Sequence, residues 1–351
     1  MLDGPTAHGP RSAPLLEVCG LRTELRLRNR LLPVVNDVSF QLHAGETVGI
    51  VGESGCGKSM TALSVMRLVP SPPGRIVGGS INFFGTELLR LPEWQMRRLR
   101  GNSISMIFQE PMTALNPVRT IGSQIIEAIR LHQGLGWRAA RARAADMLDL
   151  VRVADARSRL DEYPHHLSGG MRQRVTIAMA LSCNPRVLLA DEPTTALDVT
   201  IQAQIMSVLA ELRERLGTAM VLITHDLGLV AESCDRVLVM YGGRKVEEAP
   251  TAELFAAPAH PYTRGLLDSV PRLMVGPTAH RAGTRPRLRE IRGTVPALDK
   301  LPAGCPYAPR CPLASAQCRA TMPPLLPRGD AHLAACWHSA HVPEIAHLSM
   351  R

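Results

Sequence analysis

Leu167-Ser168-Gly169-Gly170-Met171-Arg172-Gln173-Arg174 lies about a hundred residues after Gly52-Glu53-Ser54-Gly55-Cys56-Gly57-Lys58-Ser59, and shortly before an apolar run ending in Asp191-Glu192. The earlier segment reads as a phosphate loop. Gly52, Gly55 and Gly57 let the backbone wrap a phosphate chain with its amides inward, Lys58 adds a point charge, and the Ser59 hydroxyl is a ligand for magnesium. A short apolar strand, Glu46 to Val51, runs into the loop, and Met60 to Leu68 carries helical spacing. The helix that begins here turns its positive N-terminal dipole toward the same anion. With a strand before and a helix after, a glycine-rich turn with an incidental lysine is a poor account. Ser168, Gly169 and Gly170 are small residues at a second helix start, which also suits an anion.

Val187 to Glu192 reads as a buried strand ending in two carboxylates. Ligands bind at strand ends in parallel α/β sheets. Asp191 would hold magnesium through its water shell, and Glu192 would orient or deprotonate an attacking water. Either acid alone fits a solvated strand end; beside a phosphate loop that alternative weakens.

Strand and helix patterns alternate through Ser168 to Leu181, Val187 to Ala190, Val199 to Leu216, Ala219 to Thr224 and Arg236 to Met240. This predicts an α/β fold with a mainly parallel sheet covered by helices on both faces. Leu15 to Leu27 and Val34 to Leu42 alternate apolar and polar residues as half-buried strands do. Residues 1–14 read as a disordered leader, 15–258 as the nucleotide-binding unit with a helical part at about 110–175, and 259–351 as an appended region.

The 351 residues suit about two domains, and 3% aromatic content leaves aliphatic side chains to fill the core. A formal net charge of +9 fits a solvated basic surface and a protein beside anionic lipid headgroups equally well. No apolar run approaches the ~18 residues that span a bilayer. The first residues lack the basic-then-apolar order of a secretion signal, so a soluble cytosolic chain is expected, with any membrane role exerted through partners.

Cys305, Cys311, Cys318 and Cys336 cluster near the C-terminus, whereas Cys19, Cys56, Cys183 and Cys234 are scattered. A cytosolic location disfavours disulfides. The cluster could hold zinc or an iron–sulfur centre, or consist of free thiols; its spacings are wider than a zinc ribbon's. His332 and His338 stand close enough in sequence to be spare ligands, although solvated surface histidines are the simpler reading.

The phosphate loop, the LSGGMRQR segment and the acidic strand end together resemble the ATP-binding cassette (ABC) ATPases over about residues 15–270. The resemblance implies a RecA-like parallel core with an antiparallel β subdomain and a helical subdomain. It implies that Lys58, Glu192 and His225 serve ATP hydrolysis, His225 as a sensor of the γ-phosphate. Residues Gly52 to Met60 would bind ATP, and Gln109 would contact magnesium and the attacking water. Ser168, Gly169 and Gly170 would reach the ATP held by a second, homologous or identical cassette, and Ala196-Leu197-Asp198 would cross that interface. The family often stacks adenine on an aromatic side chain upstream of the loop. Here Arg26-Leu27-Arg28-Asn29-Arg30 offers none, so an arginine plane or an aliphatic contact would substitute.

Phe108-Gln109-Glu110-Pro111-Met112-Thr113-Ala114-Leu115-Asn116-Pro117 is similar to the glutamine loop of the dipeptide/oligopeptide importer branch. His260-Pro261-Tyr262-Thr263-Arg264-Gly265-Leu266-Leu267 and Gly304-Cys305-Pro306-Tyr307-Ala308-Pro309-Arg310-Cys311-Pro312 resemble that branch's C-terminal region. This implies an ATPase subunit at the cytoplasmic face of a bacterial inner membrane, working with two permease subunits and, indirectly, an extracellular peptide-binding protein. It also implies a [4Fe–4S] cluster on Cys305, Cys311, Cys318 and Cys336. The branch includes nickel and glutathione relatives, so cargo does not follow from it. A soluble ABC ATPase acting on nucleic acid or ribosomes usually carries two cassettes or a long coiled coil. This chain shows neither pattern, and no nucleic-acid partner is expected.

Overall fold

The computed structural model describes residues 13–27, 30–110, 114–194, 198–270 and 290–343. The expected leader lies almost wholly outside them, as do Ala196 and Leu197. β1 (Leu16–Leu27) and β2 (Arg30–Leu42) pair antiparallel, and the alternating side chains of β1 bury Leu16, Val18 and Leu21 on one face. β3 (Thr47–Val51) follows, with all five residues buried, and leads through the glycine-rich loop into α1 (Lys58–Val65). β4 (Gly74–Phe83) and β5 (Thr86–Glu87) complete a four-stranded antiparallel sheet in the order β2-β1-β4-β5.

α2 (Glu93–Leu99) and β6 (Ile104–Ile107) return the chain to the central sheet. The helical layer comes next: α3 (Ile121–Gln133), α4 (Trp137–Leu150), the single turn α5 (Ala156–Arg159) and α6 (Gly169–Leu181). Ile121, Ile125, Ile126 and Ile129 form the buried stripe of α3 at the spacing of one helix face. The stripe packs with Ala144, Met147 and Leu148 of α4.

β7 (Val187–Asp191), α7 (Val199–Leu216), β8 (Ala219–Ile223), α8 (Leu227–Ser233), β9 (Arg236–Tyr241) and β10 (Arg244–Pro250) close the core. α9 (Thr251–Ala256) and α10 (Pro261–Asp268) follow, and the C-terminal region adds α11 (Ala316–Ala320), β11 (Leu326–Pro327) and β12 (Leu333–Ala334). The eight-stranded sheet runs β11-β12-β10-β9-β3-β8-β7-β6, parallel from β9 to β6 and antiparallel among the rest. β3, β7, β8 and β9 are buried on both faces, so they read as continuous apolar runs rather than alternating ones.

Described residues after 258 belong to this same body. Tyr262, Leu267, Cys305, Tyr307, Ala308 and Cys318 share one apolar cluster with Val237, Val239 and Tyr241 of β9. β12 pairs with β10, Glu247 opposite Ala334, and so extends the central sheet.

Candidate nucleotide site

β3, β7 and β8 are adjacent parallel strands, and their C-terminal ends bring the phosphate loop, Asp191-Glu192 and His225 to one edge. The loop needs glycine where its backbone is crowded. At Gly57, with φ +103°, a Cβ would stand 2.3 Å from the Val34 carbonyl oxygen, and at Gly52, with φ +151°, equally close to the Met240 carbonyl oxygen. Gly57 caps α1, while Ser54 and Gly55 are exposed at the mouth. Cys56 is buried beneath the loop, and Met60 is half-buried against the core.

The Lys58 ammonium donates to the carbonyl oxygens of Gly52 (2.8 Å) and Glu53 (3.2 Å), so it lies curled inside the loop. The Ser59 hydroxyl donates to Asp191 Oδ1 at 3.0 Å, which places two of the three expected magnesium contacts side by side. Asp191 is 3% exposed, and burial pushes its carboxyl up to about 6; the Ser59 hydrogen bond lowers it, Glu192 raises it and Lys58 lowers it.

Glu192 follows with φ +46°, a turn that aims its carboxylate away from the strand, while its N–H donates to the Ile223 carbonyl oxygen at 2.8 Å. Gln109, just beyond β6, donates its side-chain N–H to Glu192 Oε2 at 3.0 Å. His225 Nδ1 stands 3.4 Å from Glu192 Oε1. Residues from three loops therefore meet on one carboxylate. An arrangement of this kind can orient a water and take its proton beside a phosphoryl group.

Ser168 caps α6 by accepting from the Met171 N–H at 3.3 Å, and Asp198 caps α7 by accepting from the Ile201 N–H at 2.9 Å. Ser168, Gly169 and Asp198 are exposed. Gly170 packs so closely on α7 that a Cβ would lie 3.0 Å from Ile201 Cγ2. The Gln173 side chain donates to the Pro193 carbonyl oxygen, tying α6 to the segment after Glu192. The structure thus gathers Lys58, Ser59, Gln109, Asp191, Glu192 and His225 in one place, and sets Ser168, Gly169, Gly170 and Asp198 on a separate exposed pair of helix starts.

Two residues that hold the loop had no role in the sequence reading. The Tyr262 hydroxyl accepts from the Glu53 N–H at 2.7 Å, and Arg310 pairs with the Glu53 carboxylate. Tyr262 lay within a quoted motif, but nothing in its local pattern pointed to residue 53. Near the β1–β2 turn the exposed apolar groups among the described residues are Leu27 and Leu31, and Arg28 and Asn29 lie outside those residues.

Cys305, Cys311, Cys318 and Cys336 line one small cavity together with His260 and His338. At about 10 Å³ it has room for a single water. Among the described residues no group of three or more His, Cys, Asp or Glu side chains is placed to hold a metal ion. The expected cluster therefore finds no formed ligand shell. Burial pushes the Cys305 and Cys336 thiols up to about 11, and neutral thiols pack as small apolar groups. His332 is also corrected: it is 3% exposed, not a surface residue, and bonds Glu247 at 2.7 Å and Glu253 at 3.0 Å. His338 lines the cavity, with Nε2 2.9 Å from the Ser315 hydroxyl.

A phosphate loop facing a carboxylate-tipped strand, with a second acid and a glutamine beyond it, defines a phosphate-loop nucleoside triphosphatase. Residues 35–195 match the ABC transporter family, and residues 246–318 match the family described as oligopeptide/dipeptide transporter, C-terminal region. The chain is similar to a probable peptide ABC transporter ATP-binding protein, y4tR, of Sinorhizobium fredii, with 52% identity over 95% of this chain and 97% of that one. It is also similar to the oligopeptide transport ATP-binding protein AppD of Bacillus subtilis, with 49% identity over 92% of this chain and 96% of that one. Among solved structures it is similar to the dimeric post-hydrolysis state of the ATP-binding cassette MJ0796 bound to ADP and Pi. There the TM-score is 0.61 and the identity 26%, over 67% of this chain and 98% of that one. The chain belongs to the ABC transporter ATP-binding proteins and has their cassette fold. It is an ATPase subunit of that family, and among the described residues no helix is long and apolar enough to cross a membrane.

Proposed function

We propose that this chain hydrolyses ATP to drive the import of dipeptides or short oligopeptides, as a peripheral subunit at the cytoplasmic face of the membrane. The observation that carries the chemistry is Glu192, held between Gln109 and His225 beside the Ser59–Asp191 pair. Glu192 would take the proton of the attacking water, Gln109 would fix that water's position, and His225 would hold the γ-phosphate. Lys58 would swing from the loop carbonyls to the phosphates. Magnesium, held by Ser59 and Asp191, would neutralise charge on the phosphate oxygens.

Ser168, Gly169, Gly170 and Asp198 would face the triphosphate of a second cassette, either a copy or a paralogue. The exposure of Ser168, Gly169 and Asp198 supports this, as does the dimeric form of a related cassette bound to ADP and Pi. A cleft of about 540 Å³, lined by Leu68, Phe108, Met106, Ala128 and Met179, lies between the central sheet and the helical layer. It suits an apolar segment of a permease subunit, through which closure of the cassettes would act. The names of the relatives favour peptide over nickel or glutathione as cargo.

An iron–sulfur cluster is the finer reading of the C-terminal region. Cys305, Cys311, Cys318 and Cys336 would hold it, and it would cross-link chain segments that already meet through the Cys305 N–H to Cys318 carbonyl and His338–Ser315 hydrogen bonds. Its support is the donor set alone, four thiols lining one cavity, since clusters of this kind take four thiolates. Protein purified without oxygen should contain iron and absorb broadly in the visible; colourless, iron-free protein would discard the reading.

Glu192→Gln tests the central proposal. ATP should still bind and a cassette dimer should accumulate with ATP, while turnover falls by about a hundredfold or more. Hydrolysis at the wild-type rate would remove Glu192 from the mechanism.

A further inference from the structure

Arg310 stands 257 residues from Glu53 in sequence, yet its side chain is only 4% exposed against the phosphate loop. Its Nη1–H donates to Glu53 Oε2 at 2.6 Å and its Nη2–H to Oε1 at 3.0 Å, a two-pronged, charge-assisted pair. The other N–H groups reach the Tyr241 hydroxyl (3.3 Å) and the carbonyl oxygens of Ile291 (3.4 Å), Arg292 (2.9 Å) and Gly293 (3.3 Å). Tyr241 and Tyr307 flank the guanidinium, each ring centroid 5.9 Å away. The fork is therefore fixed on every side, and the cation sits in one orientation only.

Glu53 is gripped twice. Arg310 takes its carboxylate, and the Tyr262 hydroxyl accepts from its backbone N–H at 2.7 Å. Its carbonyl oxygen in turn accepts from the Lys58 ammonium. A carboxylate inside a loop that must receive a triphosphate has an electrostatic consequence. Left unpaired, its charge opposes the ligand; paired, it is neutral toward the ligand and anchors the loop.

We propose that Arg310 is a positioning residue of the ATP site, neutralising Glu53 and, with Tyr262, holding the phosphate loop in its ligand-ready shape from the C-terminal region. This rests on the reading of residues 52–59 as the ATP-binding loop. The C-terminal region thereby becomes a part of the nucleotide site, not merely a passenger behind it.

The test uses the full chain, with steady-state ATP hydrolysis and thermal unfolding measured together. Arg310→Ala should raise the KM for ATP about tenfold and change kcat less than about threefold, as expected when ground-state binding is weakened. Removing the stranded anion in the same chain, Arg310→Ala with Glu53→Gln, should bring KM back to within about threefold of the wild type. A residue that merely props up the fold would give no such rescue. Where the alanine variant does not fold, Arg310→Lys carries the same test, with a KM rise of about threefold that Glu53→Gln relieves. An unchanged KM in Arg310→Ala, or a loss that Glu53→Gln leaves in place, would overturn the proposal. Lys58→Ala separates this failure from a wrong site. If Lys58→Ala also leaves ATP affinity intact, the phosphate-loop reading falls; if only the Arg310 variants are silent, the inference about Arg310 alone falls.

Discussion

Asp191 is under electrostatic tension beside the loop. An unfolded aspartate titrates near 4, whereas burial places this one at about 6 in the folded chain. Between these values the folded protein holds a proton that the unfolded protein has released. Stability from this group therefore falls as pH rises through about 4 to 6, and stays lowered above that window. Asp191→Asn should make the nucleotide-free protein more stable by about 1–3 kcal/mol near pH 7.5, with the difference vanishing below about pH 4, and should abolish magnesium-dependent turnover. Thermal unfolding of both proteins across that range checks it; a variant less stable than the wild type at neutral pH would contradict the assignment. The loop glycines, Lys58 and the two acids were legible because their chemistry is written in adjacent residues. The Arg310–Glu53 pair was not, because an arginine in a Pro- and Arg-rich tail carries no local mark of what it will meet.

The elements that patterning found are those with a period. α3 shows its isoleucine stripe, β1 alternates, and β3, β7 and β8 are short apolar runs bounded by loops. β11 and β12 have two residues each, too few for any period, and they went unseen. Their place at the sheet edge depends on a polar latch. Glu247, fully buried, accepts from the Ala259 and His260 N–H groups and pairs with His332, which also meets Glu253. Burial alone would lower the His332 pKa, but hydrogen bonds and charge from Glu247 and Glu253 outweigh it and leave it raised. The stability this gives is complete below the unfolded value, about 6.5, and is lost as pH rises through the folded one. His332→Gln should cost about 2–4 kcal/mol at about pH 6 and progressively less in alkaline buffer. Hydrogen exchange should show residues 326–334 losing protection first; unchanged protection there would mean that the latch does not hold the edge.

At the scale of the molecule, the cassette and its C-terminal region share one sheet and one apolar cluster. Composition marked a change near Pro258 because proline and arginine become frequent, yet burial does not stop there: Tyr262, Cys305 and Tyr307 pack on Tyr241 and its neighbours. Within Leu167 to Arg174, Ser168 caps α6 and Gln173 bonds Pro193, Gly170 packs against Ile201 of α7, and Ser168 and Gly169 face outward. Under the proposed function this surface would face the triphosphate of a second cassette.

The three tryptophans are divided unevenly over this body. Trp94 and Trp137 are about half exposed, at 56% and 52%, whereas Trp337 lines the four-cysteine cavity and donates its indole N–H to the Thr321 carbonyl oxygen. Nature has thus built a spectroscopic probe into the protein. The emission of that one indole is expected to shift when the thiols beside it are modified, whereas Trp94 and Trp137 lie outside the cavity lining, with Arg98 and Arg130 over their rings.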